Sequence, residues 1–382
     1  MRLAIDCRGL RTSPSGIPNF VVTAINGISA LRPDWELYLL ANDTFNEDLD
    51  SKLVKRDNVI KVIEPLKLLP NYAIIWYFTK VESIVKRIDP DVFWAPAFLL
   101  PPFLPKNVKT LVTVHDMVFK QYKDTMSGMN RLFFELLHDR SVKQADMLWT
   151  NSEYTKAGVE HYFRERACRD IFSGFFIDTD RFRPVQVSEQ QRTSLLAKFG
   201  QHDKFILFVG TLEPRKNLSF LLSLMPALAK LGYSLLVIGA KGWGDTQVKA
   251  IVEAEDFPRE QVHFAGYVTS EELVQIYNIA SVYVSTSLNE GFGMPQLEAM
   301  ACGCPVVSPH NSAMIEVVEG AGETVKTWEE ADWIEAIVQV DQNRMDYIAA
   351  GYMRVKEYER DTVIQNLTDY IERHMAPQPL LT

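Results

Sequence analysis

Glu290 and Glu298 are separated by seven residues in the stretch NEGFGMPQLEAMACGCPVVS, which starts at Asn289. Gly291 and Gly293 permit positive φ or close backbone approach, and Pro295 suits the first turn of a helix because it has no N–H to lose there. A helix from that proline through Cys302 would open with peptide N–H groups that carry partial positive charge, a seat for a diphosphate or for sugar hydroxyls. Glu290 then lies beside the reacting end of a ligand, with the turn amides of Gly291, Phe292, Gly293 and Met294 next to it. Glu298, about one turn inside the helix, is placed to accept hydrogen bonds from ribose hydroxyls. The pattern predicts a clamp for a nucleotide sugar.

Other residues offer chemistry at strand ends. TLVTVHD, from Thr110 to Asp116, puts His115 and Asp116 at the carboxyl end of an apolar strand, where open α/β sheets present ligand contacts. Asp178-Thr179-Asp180 and Asp89-Pro90-Asp91 have the spacing with which paired carboxylates hold Mg²⁺ or Mn²⁺, but such pairs arise readily by chance among 49 acidic residues, and no metal is expected. Gly239 to Gly244 follows a strand without the G-x-G-x-x-G spacing of a dinucleotide site. APAFLLPPFLP, from Ala95, holds four prolines in eleven residues and cannot be a regular helix. Its Phe98, Leu99, Leu100 and Phe103 face either an acceptor or a lipid, or pack in the core. The earlier stretch LLPNYAIIWYF, from Leu68, has the length of a helix.

The elements that must carry these residues alternate between short β-rich runs and amphipathic stretches, the pattern of parallel sheets covered by helices on both faces. Strands are predicted at Arg2–Asp6, Glu36–Ala41, Val92–Ala95, Thr110–His115, Met147–Asn151 and Asp170–Ser173. A second set is predicted at Phe205–Val209, Ser234–Ile238, Val262–Phe264, Val282–Ser285 and Pro305–Ser308. These are two doubly wound units, 1–184 and 185–354, meeting near Pro184, where a polar run with a short helix follows. One long helical pattern runs from Ala349 to Met375, and its 355–375 part is assigned to the first domain by the resemblance described below.

A chain of 382 residues with 47% apolar content is long enough for two cored domains. It lacks a run of about 20 apolar residues to span a bilayer, and its N-terminus lacks a secretory h-region, so a cytoplasmic protein is expected. Cys7, Cys168, Cys302 and Cys304 are too few and too irregular for a disulfide framework or a four-ligand zinc site. Residues 1–185 hold 25 Lys+Arg against 23 Asp+Glu, and the remainder 15 against 26. A first half near +2 joined to a second near −11 either suits an N-terminal face meeting an anionic membrane or lipid-diphosphate acceptor, or reflects charges that are merely solvated. A pI of 5.4 argues against nucleic acid as a partner.

FILFVGTLEPRKNLSFLLSLMPAL, from Phe205 to Leu228, together with the Glu290–Glu298 stretch, resembles glycosyltransferase family 4. That resemblance covers nearly the whole chain and is sharper in the second half. It implies the GT-B fold, two Rossmann-like domains facing a cleft, with the last helix crossing back to the first. It also implies a retaining transfer from a nucleotide sugar without a metal or other cofactor. Lys216 falls on the family's phosphate-binding lysine with Arg215 beside it, after the turn glycine Gly210, while Thr211 stands where many relatives carry arginine. The same likeness puts His115 against the donor hexose and Tyr267 near the nucleobase, either stacking or simply packing. Gly16 and Ile17 then serve the donor phosphate, with Pro18 and Asn19 departing from the family pattern and Arg8 and Arg11 as other sources of charge.

The segment Glu213-Pro214-Arg215-Lys216-Asn217 is most like bacterial mannosyltransferases of surface-polysaccharide assembly. This implies transfer of α-mannose from GDP-mannose to a lipid-diphosphate-linked glycan of O-antigen type at the inner face of the cytoplasmic membrane. A UDP-hexose donor, or a catalytically silent adaptor on the same scaffold, are the alternatives.

Overall fold

The computed structural model describes residues 1–12, 16–66, 72–117, 120, 128–166, 170–240 and 246–376. Cys168, Lys241 to Gly244, Leu68 to Asn71 and the tail from Pro377 lie outside the described residues. The chain forms two compact units, one of residues 1–176 with 360–382, the other of 177–359.

The first unit is built on a seven-stranded parallel sheet of β1 (Arg2–Asp6), β2 (Glu36–Ala41), β3 (Val59–Ile63), β4 (Val92–Ala95), β5 (Lys109–Val114), β6 (Met147–Thr150) and β7 (Phe172–Ser173). Its order is β3-β2-β1-β4-β5-β6-β7, so the direction of winding reverses between β1 and β4. Leu3, Ala4, Ile5 and the whole of β4 are buried, as expected of parallel strands covered on both faces. The helix Gly16–Leu31 packs against the final helix Arg360–Met375, where Gly27 leaves room for Ile364: a Cβ there would sit 3.0 Å from Ile364 Cγ1.

The second unit repeats the plan with β8 (Phe205–Val209), β9 (Ser234–Ile238), β10 (Val262–Gly266), β11 (Val282–Val284), β12 (Val306–Pro309) and β13 (Glu323–Val325), ordered β10-β9-β8-β11-β12-β13. Winding reverses here between β8 and β11. Leu221, Leu222, Met225 and Leu228 of the Leu218–Lys230 helix bury one face with Ile206, Phe208, Leu235 and Trp333. Ser188 and Gln191 close a reciprocal cap on the helix Glu189–Lys198.

The two sheets match the sequence-based expectation, with three differences. β3 and β13 are additional edge strands, partly exposed and only five and three residues long, which leaves little periodic signal. The C-terminal helical pattern is two helices, Arg344–Lys356 and Arg360–Met375. It breaks because Tyr358 O accepts the Ile177 N–H at 3.1 Å and Glu359 forms a bridge with Ile177. The same pairing moves the first crossing between units to Phe176/Ile177 and the second to Glu359/Arg360, rather than Pro184 and residue 355. Phe182 packs edge-on against Tyr277, and Val185 N–H donates to Asn278 Oδ1 at 2.8 Å, so the chain from Ile177 onward is already part of the second unit.

Candidate functional site

Open parallel sheets bind ligands beyond the carboxyl ends of the strands where the winding reverses. In the second unit those ends are β8, which runs into Gly210–Asn217, and β11, which runs into Ser285–Gly293. Gly239 at the end of β9 must be glycine because a Cβ there would lie 1.9 Å from Gly210 O. Beyond Gly210 the chain makes a short 3₁₀ turn, Pro214–Lys216, and reverses at Asn217 with φ of 50°, a left-handed conformation that asparagine tolerates. Thr286 Oγ1 donates to both Lys216 O and Asn217 O at 3.0 Å, and Leu288 N–H donates to Arg215 O at 2.8 Å. The β8 turn is thereby fastened to the β11 loop.

This fastening aims both cations at Glu290. Arg215 Nη1 donates to Glu290 Oε2 at 2.8 Å and to Asn289 O at 2.6 Å, while Nη2 donates to Glu213 Oε1 at 2.6 Å. Lys216 Nζ donates to Glu290 Oε1, which also accepts from Ser287 Oγ at 2.7 Å. The Lys216 side chain lies over Gly210, where a Cβ would meet its Cε at 3.4 Å. Burial raises the Glu290 pKa, but Lys216 and Arg215 outweigh it and bring the carboxyl down to about 2. Its backbone is pinned as well: Glu290 N–H donates to Ser312 Oγ at 3.0 Å.

The helix predicted from Pro295 is present as Met294–Ala301, with Gly293 as its N-cap at φ of 114° and Pro295 in the first turn. Gly291 and Phe292 are buried in the preceding turn, and the Phe292 ring packs edge-on with Tyr358 at 5.4 Å. Glu298 lies on this helix, and Tyr277 Oη donates to its Oε2 at 3.1 Å. Burial pushes the Glu298 pKa up, opposed by the positive charge of Arg181. The two carboxylates therefore occupy opposite electrostatic settings.

Residues 193–352 match the family described as Glycosyl transferases group 1. The matched segment is that of a group 1 glycosyl transferase. The chain is 26% identical over 376 residues to the O-antigen chain mannosyltransferase B of Escherichia coli, covering 94% of this chain and 96% of that protein. It is 28% identical over 216 residues to the serotype-specific mannosyltransferase WbdA of Escherichia coli, which is 55% of this chain but 26% of the relative. Its fold is similar to that of Anabaena HepE, solved in complex with UDP-glucose, with a TM-score of 0.72 at 16% identity over 98% of this chain and all of that one (100%).

In the first unit, His115 directly follows β5 and is 8% exposed. Phe20 and Phe98 meet its ring edge-on at 5.2 and 5.5 Å. Burial lowers its pKa to about 4, against the upward pull of the Pro96 carbonyl. His115 Nε2 lies 2.7 Å from Pro96 O, which can only accept, so Nε2 carries the hydrogen and Nδ1 keeps a lone pair in the neutral ring. Phe98 holds its place with φ of 65°, strained for a residue with a Cβ.

Gly16 and Ile17 open the helix Gly16–Leu31, half-buried, at its N-terminus. Arg8 is held by Asp6 at 2.8 Å and lies over the Tyr77 ring at 3.3 Å, and Arg11 donates to Asn42 Oδ1 at 3.0 Å, so both have partners inside the first unit. Tyr267 follows Gly266 and is 72% exposed, so core packing does not account for it. Of the Ala95–Pro105 stretch, Leu100 is buried and Phe98 and Leu99 pack on the core, the core-packing alternative for three of the four apolar side chains; Phe103 alone of them is 66% exposed. Asp91 accepts the Arg2 N–H at 2.7 Å and Asp89 accepts from Asn107 Nδ2 at 3.1 Å, so this Asp-x-Asp pair organises a sheet end. Among the described residues no group of three or more His, Cys, Asp or Glu could hold a metal ion, and no helix is long and apolar enough to cross a membrane.

Sequence reading missed Ser287, Ser312 and Tyr277, which position the two glutamates. Ser287, three residues before Glu290, carried a local signal. Ser312 and Tyr277 carried none, since their contacts cross the fold.

Proposed function

We propose that this glycosyltransferase moves α-mannose from GDP-mannose, with retention at the anomeric carbon, onto a lipid-diphosphate-linked glycan of a bacterial surface polysaccharide. The observation that carries the reading is the convergence of Arg215 and Lys216 on the Glu290 loop where the second sheet reverses its winding. Charge grows on the leaving diphosphate in the transition state, and fixed cations in a site shielded from water stabilise it most at that point. The mannosyl choice is supported by the relative from Escherichia coli, whose likeness extends along nearly the full length of both chains.

In this reading Arg215 and Lys216 hold the diphosphate, and Glu290 with the amides of Gly291 to Met294 holds the hexose. Glu298 accepts from the ribose. The C1–O bond to the diphosphate breaks as the acceptor oxygen bonds to the same face of C1. The acceptor's proton passes to the departing phosphate oxygen, so the protein's work is positioning and charge stabilisation. Arg215 and Lys216 supply the positive charge that faces the leaving group, and no divalent metal is invoked. The reaction is placed at the inner face of the cytoplasmic membrane, where Phe103 and the basic first half meet the lipid.

A thermal-shift panel of GDP-mannose, UDP-glucose and UDP-N-acetylglucosamine tests the donor, because a ligand that binds only the native state raises its melting temperature. GDP-mannose is expected to give the largest rise, and a larger rise with either UDP-sugar would overturn the donor assignment. Transfer is expected to survive EDTA; a loss restored by Mg²⁺ or Mn²⁺ would refute the metal-free route.

A further inference from the structure

Arg215 is occupied on both of its terminal nitrogens. Nη1 is shared by Glu290 Oε2 and Asn289 O, and Nη2 is taken by Glu213 Oε1 at 2.6 Å. With Lys216 on Glu290, the cluster holds two cations and two carboxylates, so its formal charges cancel. A diphosphate arriving here meets a neutral group and must take the place of an anion to gain a direct contact.

The two carboxylates are not equally replaceable. Glu290 has a 13% exposed side chain, held by Arg215, Lys216 and Ser287 and backed by Ser312 on its N–H. The Glu213 side chain is 24% exposed, and among the described residues Arg215 is its one side-chain partner. Its backbone precedes the Pro214–Lys216 turn in extended conformation, φ −129° and ψ 152°, and its side chain makes no cap hydrogen bond to that turn.

We propose that Glu213 is a resident anion on Arg215, which a phosphate oxygen of a nucleoside diphosphate displaces on binding and which returns to eject that product after transfer. The inference rests on the nucleotide-site reading of Arg215 and Lys216 and adds a residue that sets nucleotide affinity and release. Exchanging one charge-assisted hydrogen bond for another keeps the net gain from Arg215 small, which suits a group that must let its product go.

The test is calorimetric titration of the full chain with GDP and with UDP. Glu213→Gln keeps the shape and removes the charge; it is expected to tighten the bound nucleotide about fivefold, the scale of a partly exposed ion pair, and to lower kcat through slower release. Arg215→Ala is expected to weaken nucleotide binding, and in that background Glu213→Gln is expected to give no tightening, since the shared partner is gone. An unchanged or weaker affinity in Glu213→Gln, or a gain that persists without Arg215, overturns the inference while a weakened Arg215→Ala leaves the site reading standing. Wild-type affinity in both Arg215→Ala and Lys216→Ala sinks the site reading and this inference with it. Where Glu213→Gln does not fold, Glu213→Ala carries the same test.

Discussion

At the end of β11 a carboxylate is drawn down to about 2 by Lys216 and Arg215, while at the end of β5 an imidazole falls to about 4 because burial denies it a charge. Both groups follow a parallel strand, yet one stays ionised among ions and the other stays neutral among Phe20, Phe98 and a carbonyl. The difference teaches that the two units present different chemistry at their strand ends. The second unit offers fixed charge, suited to a diphosphate, and the first offers a tautomer-fixed acceptor, suited to a hydroxyl.

Lys216→Ala is the strongest way to break this contrast. It is expected to lower kcat by about 10²- to 10³-fold with the fold intact, the cost of losing one electrostatic donor to a developing anion. Near-normal turnover in a steady-state assay would remove the leaving-group role. A smaller change is expected of Glu298→Gln, which keeps volume but replaces a carboxylate acceptor with an amide: nucleotide affinity should fall about tenfold, as for a hydrogen bond to a charged group. Equal affinity by calorimetry would mean that Glu298 serves Tyr277 rather than a ribose.

The smallest effect separates the two regions by pH. His115 titrates near 4 when folded and near 6.5 in its ordinary state, so above pH 6.5 both states are neutral. As pH falls through the interval below that, the unfolded chain takes the proton first, and stability should drop by about 1 kcal/mol per pH unit. Glu290 acts lower: its stabilisation is present above 4.5 and is lost as pH falls toward 2. Denaturant unfolding at pH 7 and pH 5 should therefore show a steeper loss for the wild type than for His115→Phe. Equal losses would contradict a neutral buried imidazole.

Much of this site was legible because its parts are local. The Gly291–Pro295 turn, the helix behind it and the strand leading to His115 each follow from a few consecutive residues, and each stands where expected. The edge strands Val59–Ile63 and Glu323–Val325 were not legible, since a short, half-exposed strand has little alternation to read. The break at Glu357–Glu359 was hidden for another reason: the apolar spacing runs on through it, and only the Ile177 pairing interrupts the helix.

What the sequence by itself determined is the succession of parallel strands and helices and the types of residue presented at strand ends, because hydrophobic period and turn chemistry act over a few positions. What only the tertiary structure decided is which of those residues meet. Arg215 and Glu290 are 75 positions apart and Lys216 and Glu290 are 74, and they touch because β8 and β11 lie side by side where the winding reverses. Such a pairing is set by the order of strands in the sheet, and the low pKa of Glu290 and the occupied state of Arg215 follow from that order.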